Sequence, residues 1–138
     1  MNSVAKKSIS AEAAQRLLDA AVKKASEIGV PFNIAVTDEA GDMKAFVRMD
    51  GAIKLGLDIS LNKAYTSAAT GLPSDKWYEY IKDDAPLLHG ITHTPRFVIF
   101  GGGMPIMDGD HLIGAVGVSG GHYTQDMEVA KAGIAALG

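Results

Sequence analysis

Phe97–Leu137 reads FVIFGGGMPIMDGDHLIGAVGVSGGHYTQDMEVAKAGIAAL, and the fold is decided inside it. Phe97–Phe100 is apolar and β-rich, a predicted strand closed by Gly101, Gly102 and Gly103. Met104–Met107 follows, then Asp108-Gly109, then a second apolar run, Leu112–Val118. Asp-Gly between apolar runs predicts a hairpin with a tight, positive-φ turn. Gly114, Ala115 and Gly117 make the second run a strand over which something packs very closely. That partner is a helix, a neighbouring subunit or a ligand. Ser119-Gly120-Gly121 breaks the strand, and a helical pattern runs from about Thr124 to Leu137.

Upstream there is no internal repeat, and the elements are marked by the same kinds of local signal. Ala14, Leu17, Leu18, Ala21, Val22 and Ala25 recur at three-four spacing, predicting an amphipathic helix that starts after Ser10 and stops at Gly29. Phe32–Thr37 and Met43–Arg48 read as strands, joined by a turn at Asp38–Asp42 in which Gly41 supplies the awkward dihedral. Ile53–Ala69 is a predicted helix, apolar over more than one face and therefore buried against a sheet. Ser74 is the expected cap of a short helix containing Trp77, Tyr78 and Tyr80, an aromatic cluster that covers a pocket or meets another subunit. Lys82–Pro95 reads as a loop with a helical turn, long enough to act as a lid.

Helix, hairpin, helices, hairpin, helix is the order of an α+β sandwich, an antiparallel sheet with helices on its faces. The 138 residues suit one domain, expected over 9–138 behind a loose tail at 1–8. A net charge of −3 provides no field for nucleic acid. The absence of Cys excludes disulfides, thiolate nucleophiles and cysteine-held clusters. No apolar stretch is long enough to span a bilayer, and the first residues lack the apolar core of a signal peptide, so a cytoplasmic protein is expected.

Chemistry is sparse. Ser119 lacks a G-x-S-x-G context, and Gly101-Gly102-Gly103 is followed by Met104-Pro105 rather than by Gly-Lys-Ser/Thr, so neither a serine hydrolase nor a phosphate loop is indicated. The glycines read as a bulge or as a nest of N–H groups at a pocket edge. His89 and His93 stand four apart, a spacing that could hold a transition metal or a haem iron on one helical face, though Thr94-Pro95 disfavours helix there. His111 lies beside the hairpin turn. His122 opens the last helix, where it meets a ligand or rests neutral at the positive helix end. Arg48 pairs with Asp50 or clamps a ligand carboxylate; Lys63, in an apolar helix, snorkels or anchors an anion.

GGGMPI, DGDHLIGAVGVSGG and QDMEVAKAGIAAL, together with IAVTDEAGDMKAFVRMDGA at 34–52 and NKAYTSA at 62–68, resemble the GlcG/HbpS family, to which the C-terminal domain of PduO-type proteins is related. The resemblance covers nearly the whole chain, in the family's order. It implies a profilin-like arrangement with a five-stranded antiparallel sheet, and homo-oligomers, dimers assembling to tetramers or octamers. It raises Lys63 as an anion anchor and places a pocket edge at Gly101–Pro105, including Met104. It also makes haem, or another tetrapyrrole, the candidate cofactor. Haem-binding members use an axial histidine in or just before the first helix; here ISAEAAQ stands there, and no histidine precedes His89. That departure counts against a conventional haem site, and His89 or His93 substitutes only if the Lys82–Pro95 loop brings it to the same pocket.

Three functions follow from this reading. The first is a small-ligand-binding accessory protein of a catabolic pathway, with Arg48, Lys63, His89, His93, Gly101–Pro105 and His122 around the ligand. The second is an enzyme on a small carboxylate, with Arg48 and Lys63 as anion anchors and a histidine moving the proton. An oligomeric scaffold without a ligand is the third.

Overall fold

The helix expected after Ser10 forms as α1, Ala11–Ile28, in the computed structural model, which describes residues 1–138. Ser10 Oγ accepts from the Ala13 N–H at 3.0 Å, and Gly29 ends the helix in the left-handed region at φ 82°. β1 (Asn33–Asp38) and β2 (Met43–Arg48) form the first hairpin. Asp38 Oδ1 accepts from the N–H groups of Ala40 and Asp42, which is turn chemistry. Next come α2 (Gly56–Thr70), α3 (Lys76–Ile81), α4 (Ala85–Gly90) and a 3₁₀ turn at Ile91–His93. β3 (Gly103–Asp108) and β4 (His111–Ser119) form the second hairpin, and α5 (Tyr123–Ala135) closes the chain.

The sheet is antiparallel, in the order β2-β1-β4-β3. It has four strands, not the five expected. The missing strand is Phe97–Phe100. Its backbone is taken by hydroxyls instead of a ladder: the Val98 N–H donates to Thr66 Oγ1 at 3.0 Å, and Phe100 O accepts from Ser74 Oγ at 2.7 Å. Arg96 just before it stands at φ 66°, a left-handed turn that brings the segment along α2 rather than into the sheet. Ser74, the expected helix cap, is used in the same way. Its Oγ also accepts from the Gly103 N–H at 2.9 Å, and α3 begins without a side-chain cap.

Strand alternation sorts the core into two layers. Ile34, Val36, Val116, Val118 and Ile106 face α1 and α5, joining Leu17, Leu18, Ala21, Val129 and Ala130. Ala35 and Ala115 face α2, against Ala64 and Ala68. The close partner of the small-residue strand is therefore α2: a Cβ on Gly117 would run into Ser60 O and the Ala64 amide. The alanine-rich last helix is also occupied within the chain, with Gly133 against Leu17 of α1. No helix is long and apolar enough to cross a membrane.

Candidate functional site

Ser74 and Trp77 hold α3 against the chain that was expected to be a strand. Besides the Ser74 bonds to Phe100 and Gly103, the Trp77 ring packs edge-on against Phe97 at 5.1 Å and against Tyr80 at 5.8 Å. Gly101 makes the joint with α5, because its missing Cβ leaves room for the Met127 sulfur. Between these pieces lies a cleft of 590 Å³. α3 contributes Asp75, Tyr78 and Glu79; the irregular segment contributes Ile99, Phe100 and Gly101; the first turns of α5 contribute Tyr123, Thr124 and Met127. Tyr78, Phe100 and Tyr123 remain 49%, 45% and 41% exposed, so three large rings front the cleft without being covered by the fold.

Beneath the Phe100 ring, 5.2 Å from its centroid, sits the Lys63 ammonium. Lys63 neither snorkels nor reaches open pocket space. It is buried, and its Nζ donates to Asp126 Oδ2 at 2.8 Å and to Val118 O at 2.7 Å. Asp126 Oδ1 in turn accepts from the Gly121 N–H at 3.1 Å. Burial pushes the Lys63 ammonium down from its ordinary value and the Asp126 carboxyl up, in each case against the pull of the partner's charge. Gly102, at φ 129°, is walled by Val118 O at 2.5 Å and Lys63 Nζ at 2.6 Å from where a Cβ would stand. Gly103 lies against the α2 backbone at Lys63, and its N–H is already taken by Ser74. The triple glycine is thus where a sheet end, α2 and α5 meet.

The anticipated residues divide. Gly101 lines the cleft; Gly102 and Gly103 lie buried behind it; Met104 and Pro105 continue into β3. His122 is the exposed N-cap of α5, its ring 4.1 Å from that of Tyr123. The Thr124 N–H donates to His122 Nδ1 at 3.3 Å and the Thr124 hydroxyl lies 2.9 Å from the same nitrogen, so this edge of the ring is taken up by the helix start. Arg48 is exposed at the end of β2, opposite Asn33, and is not brought together with the buried Lys63 into one anion clamp. His89 and His93 are exposed on α4 and the 3₁₀ turn, outside the lining of the cleft. No group of three or more His, Asp or Glu residues is arranged to hold a metal ion. Tyr78, expected as part of an aromatic cover over a pocket or of a subunit contact, lines the cleft, whereas Asp126, Asp75, Phe100, Tyr123 and Met127 were not anticipated. The one signal available was an apolar helix carrying Lys63 with acids opening two later helices.

The HbpS-like family model, described as haem degrading protein HbpS-like, matches residues 9–135. The chain belongs to the HbpS-like family. This HbpS-like chain is 40% identical over 125 residues to a Citrobacter freundii relative described as a 15.0 kDa protein in the dhaT-dhaS intergenic region, covering 89% of this chain and 87% of the relative. Among solved structures, the Klebsiella pneumoniae protein ORFY is 34% identical, with a TM-score of 0.93 over 99% of this chain and 95% of that one. PduOC, solved as a haem complex, is 30% identical, with a TM-score of 0.87 over 94% of both chains.

Proposed function

We propose that this HbpS-like protein is a small-ligand-binding accessory protein of a catabolic pathway, working in the cytoplasm as a homo-oligomer, with its ligand in the cleft between α3, Ile99–Gly101 and the start of α5. The observation that carries this reading is the convergence of Tyr78, Phe100 and Tyr123, each partly exposed, on one cleft of 590 Å³. Concave, aromatic-lined space with a few polar groups is the common form of a small-molecule site. Native mass spectrometry of freshly purified protein tests it, because subunit count and retained ligand are read together. A retained mass lost in Phe100→Ala supports the cleft; one retained equally by that variant puts the ligand elsewhere.

Haem is a second reading, supported by the haem complex of PduOC and by the Met127 thioether among aromatic walls. Thioether and phenol oxygen are both known haem-iron donors, so Met127, Tyr78 and Tyr123 are the residues that would hold the iron, with Phe100 adding apolar contact. Asp75 and Glu79 oppose the propionates, so the fit extends to the ring and the iron and stops at the carboxylates. Titrating haem into wild type, Met127→Ala and the His89→Ala/His93→Ala double variant separates the sites. A Soret band weakened only in Met127→Ala assigns haem to the cleft; one weakened only in the double variant assigns it to His89 and His93.

A further inference from the structure

We infer that the cleft selects an organic cation, a quaternary ammonium or protonated amine with an apolar body, over neutral and anionic ligands of the same shape. The inference deepens the proposed function and rests on its reading of the cleft as the ligand site. The charged side chains that line the cleft, Asp75 and Glu79, are both carboxylates. Glu79 is held by Lys82 at 2.9 Å, at the exposed end of α3. Asp75 is half-buried and makes no ion pair in the chain, so its charge is open to a ligand. The nearest buried cation, Lys63 under Phe100, carries its own counterion in Asp126 and adds no net positive charge.

Around this carboxylate stand Tyr78, Phe100 and Tyr123, whose ring faces are negative and attract cations, and Met127, whose polarisable thioether accommodates methyl groups. An anion entering the cleft meets carboxylates of its own sign. A neutral body gains the apolar contact and nothing further. A cation gains the contact, the ring faces and Asp75 together, in a site partly screened from water, where such attractions exceed their surface strength.

The test uses three probes: choline, the neutral alcohol in which a quaternary carbon replaces its nitrogen, and benzoate. Each is titrated by heteronuclear NMR into the full chain, with the amide signals of α3, Ile99–Gly101 and the start of α5 as readout. Choline is expected to saturate these signals with an affinity at least about tenfold above that of the alcohol. In Asp75→Asn, with an unchanged thermal midpoint, that ratio should fall toward one while the alcohol's affinity stays the same. Equal binding of the alcohol, or tighter binding of benzoate, at these same signals overturns the cation inference and leaves the cleft as a ligand site. Absence of any choline response at millimolar concentration also overturns it, and the ligand reading is then judged by the retained mass. A Phe100→Ala variant that changes sedimentation, when no probe perturbs these signals in wild type, makes the cleft a subunit contact and removes both.

Discussion

Lys63 and Asp126 lie 63 positions apart and meet as a buried ion pair at 2.8 Å. Such a pair is held against the cost of taking two charges out of water, and removing one partner strands the other. Asp126→Asn is therefore expected to lower unfolding free energy by about 3–5 kcal/mol, whereas Lys63→Met/Asp126→Leu should match or exceed wild type. Urea denaturation of the three proteins decides; a mild single variant with a crippled double would contradict this account. The same burial sets a pH dependence. Lys63 has its folded value lowered below 10.5, so its contribution to stability is fully present above 10.5 and is lost as pH falls through the folded value. Asp126 has its folded value raised above 3.8, so its contribution is present below 3.8 and is lost as pH rises through the folded value. Wild type should then gain on the double variant between neutral pH and 10.5, read as the difference in urea midpoints at the two ends. A constant difference would mean that Lys63 is not desolvated.

At the level of the elements, the small-residue strand has a single purpose, which is to let α2 lie directly on the sheet. Gly117 faces Ser60 O, backbone against backbone, with no flexible side chain to give way. Gly117→Ala should cost about 3 kcal/mol, the upper part of the overpacking range, and calorimetry should show it as a lowered midpoint; a near-neutral result would mean that α2 can lift off freely. Thr66 performs the opposite task of holding an irregular segment down. Its Oγ1 lies 2.9 Å from Arg96 O, 2.8 Å from Asn62 O and 3.0 Å from the Val98 N, taking the Val98 proton and giving its own to one of the carbonyls. Thr66→Val leaves a buried N–H without a partner, at about 1–3 kcal/mol, and should speed amide exchange at Val98 relative to β4. These two cases mark what the sequence could and could not disclose. Both hairpins and the first and last helices were legible because apolar period and turn residues are local signals: Asp108-Gly109, Gly41 and Ser10 sit where they act. Phe97–Phe100 has strand composition and is not a strand, because the groups that capture its backbone come from Thr66 and Ser74, distant in the chain. The cleft is hidden for the same reason. It draws on three separated segments, and of the residues expected at a pocket only Gly101 and Tyr78 line it.

At the scale of the whole molecule, the features that pointed to subunit contact have been used inside one chain. β4 is covered by α2 on one face and by the α1 and α5 layer on the other, so the small-residue strand presents no free face to a neighbour. The order β2-β1-β4-β3 leaves β2 and β3 as edges. Pro105 denies β3 one donor, and the exposed Lys44 and Arg48 charge β2, devices that discourage strand-to-strand association. Apolar surface survives instead where the chain enters α2: Ile53 and Leu55 are 55% and 69% exposed. The Asn33 side chain anchors this approach, donating to Ile53 O at 3.0 Å, so the two side chains are displayed from a fixed backbone. Ordered, uncovered apolar side chains of this kind mark contact surfaces more often than mobile ones do, because little entropy remains to be lost on association. Light scattering at micromolar concentration is accordingly expected to report a multiple of 14.4 kDa for wild type and a shift toward 14.4 kDa for Ile53→Glu/Leu55→Glu. A wild-type mass of 14.4 kDa would reject the homo-oligomer, and an undiminished mass in the double variant would move the contact to another face.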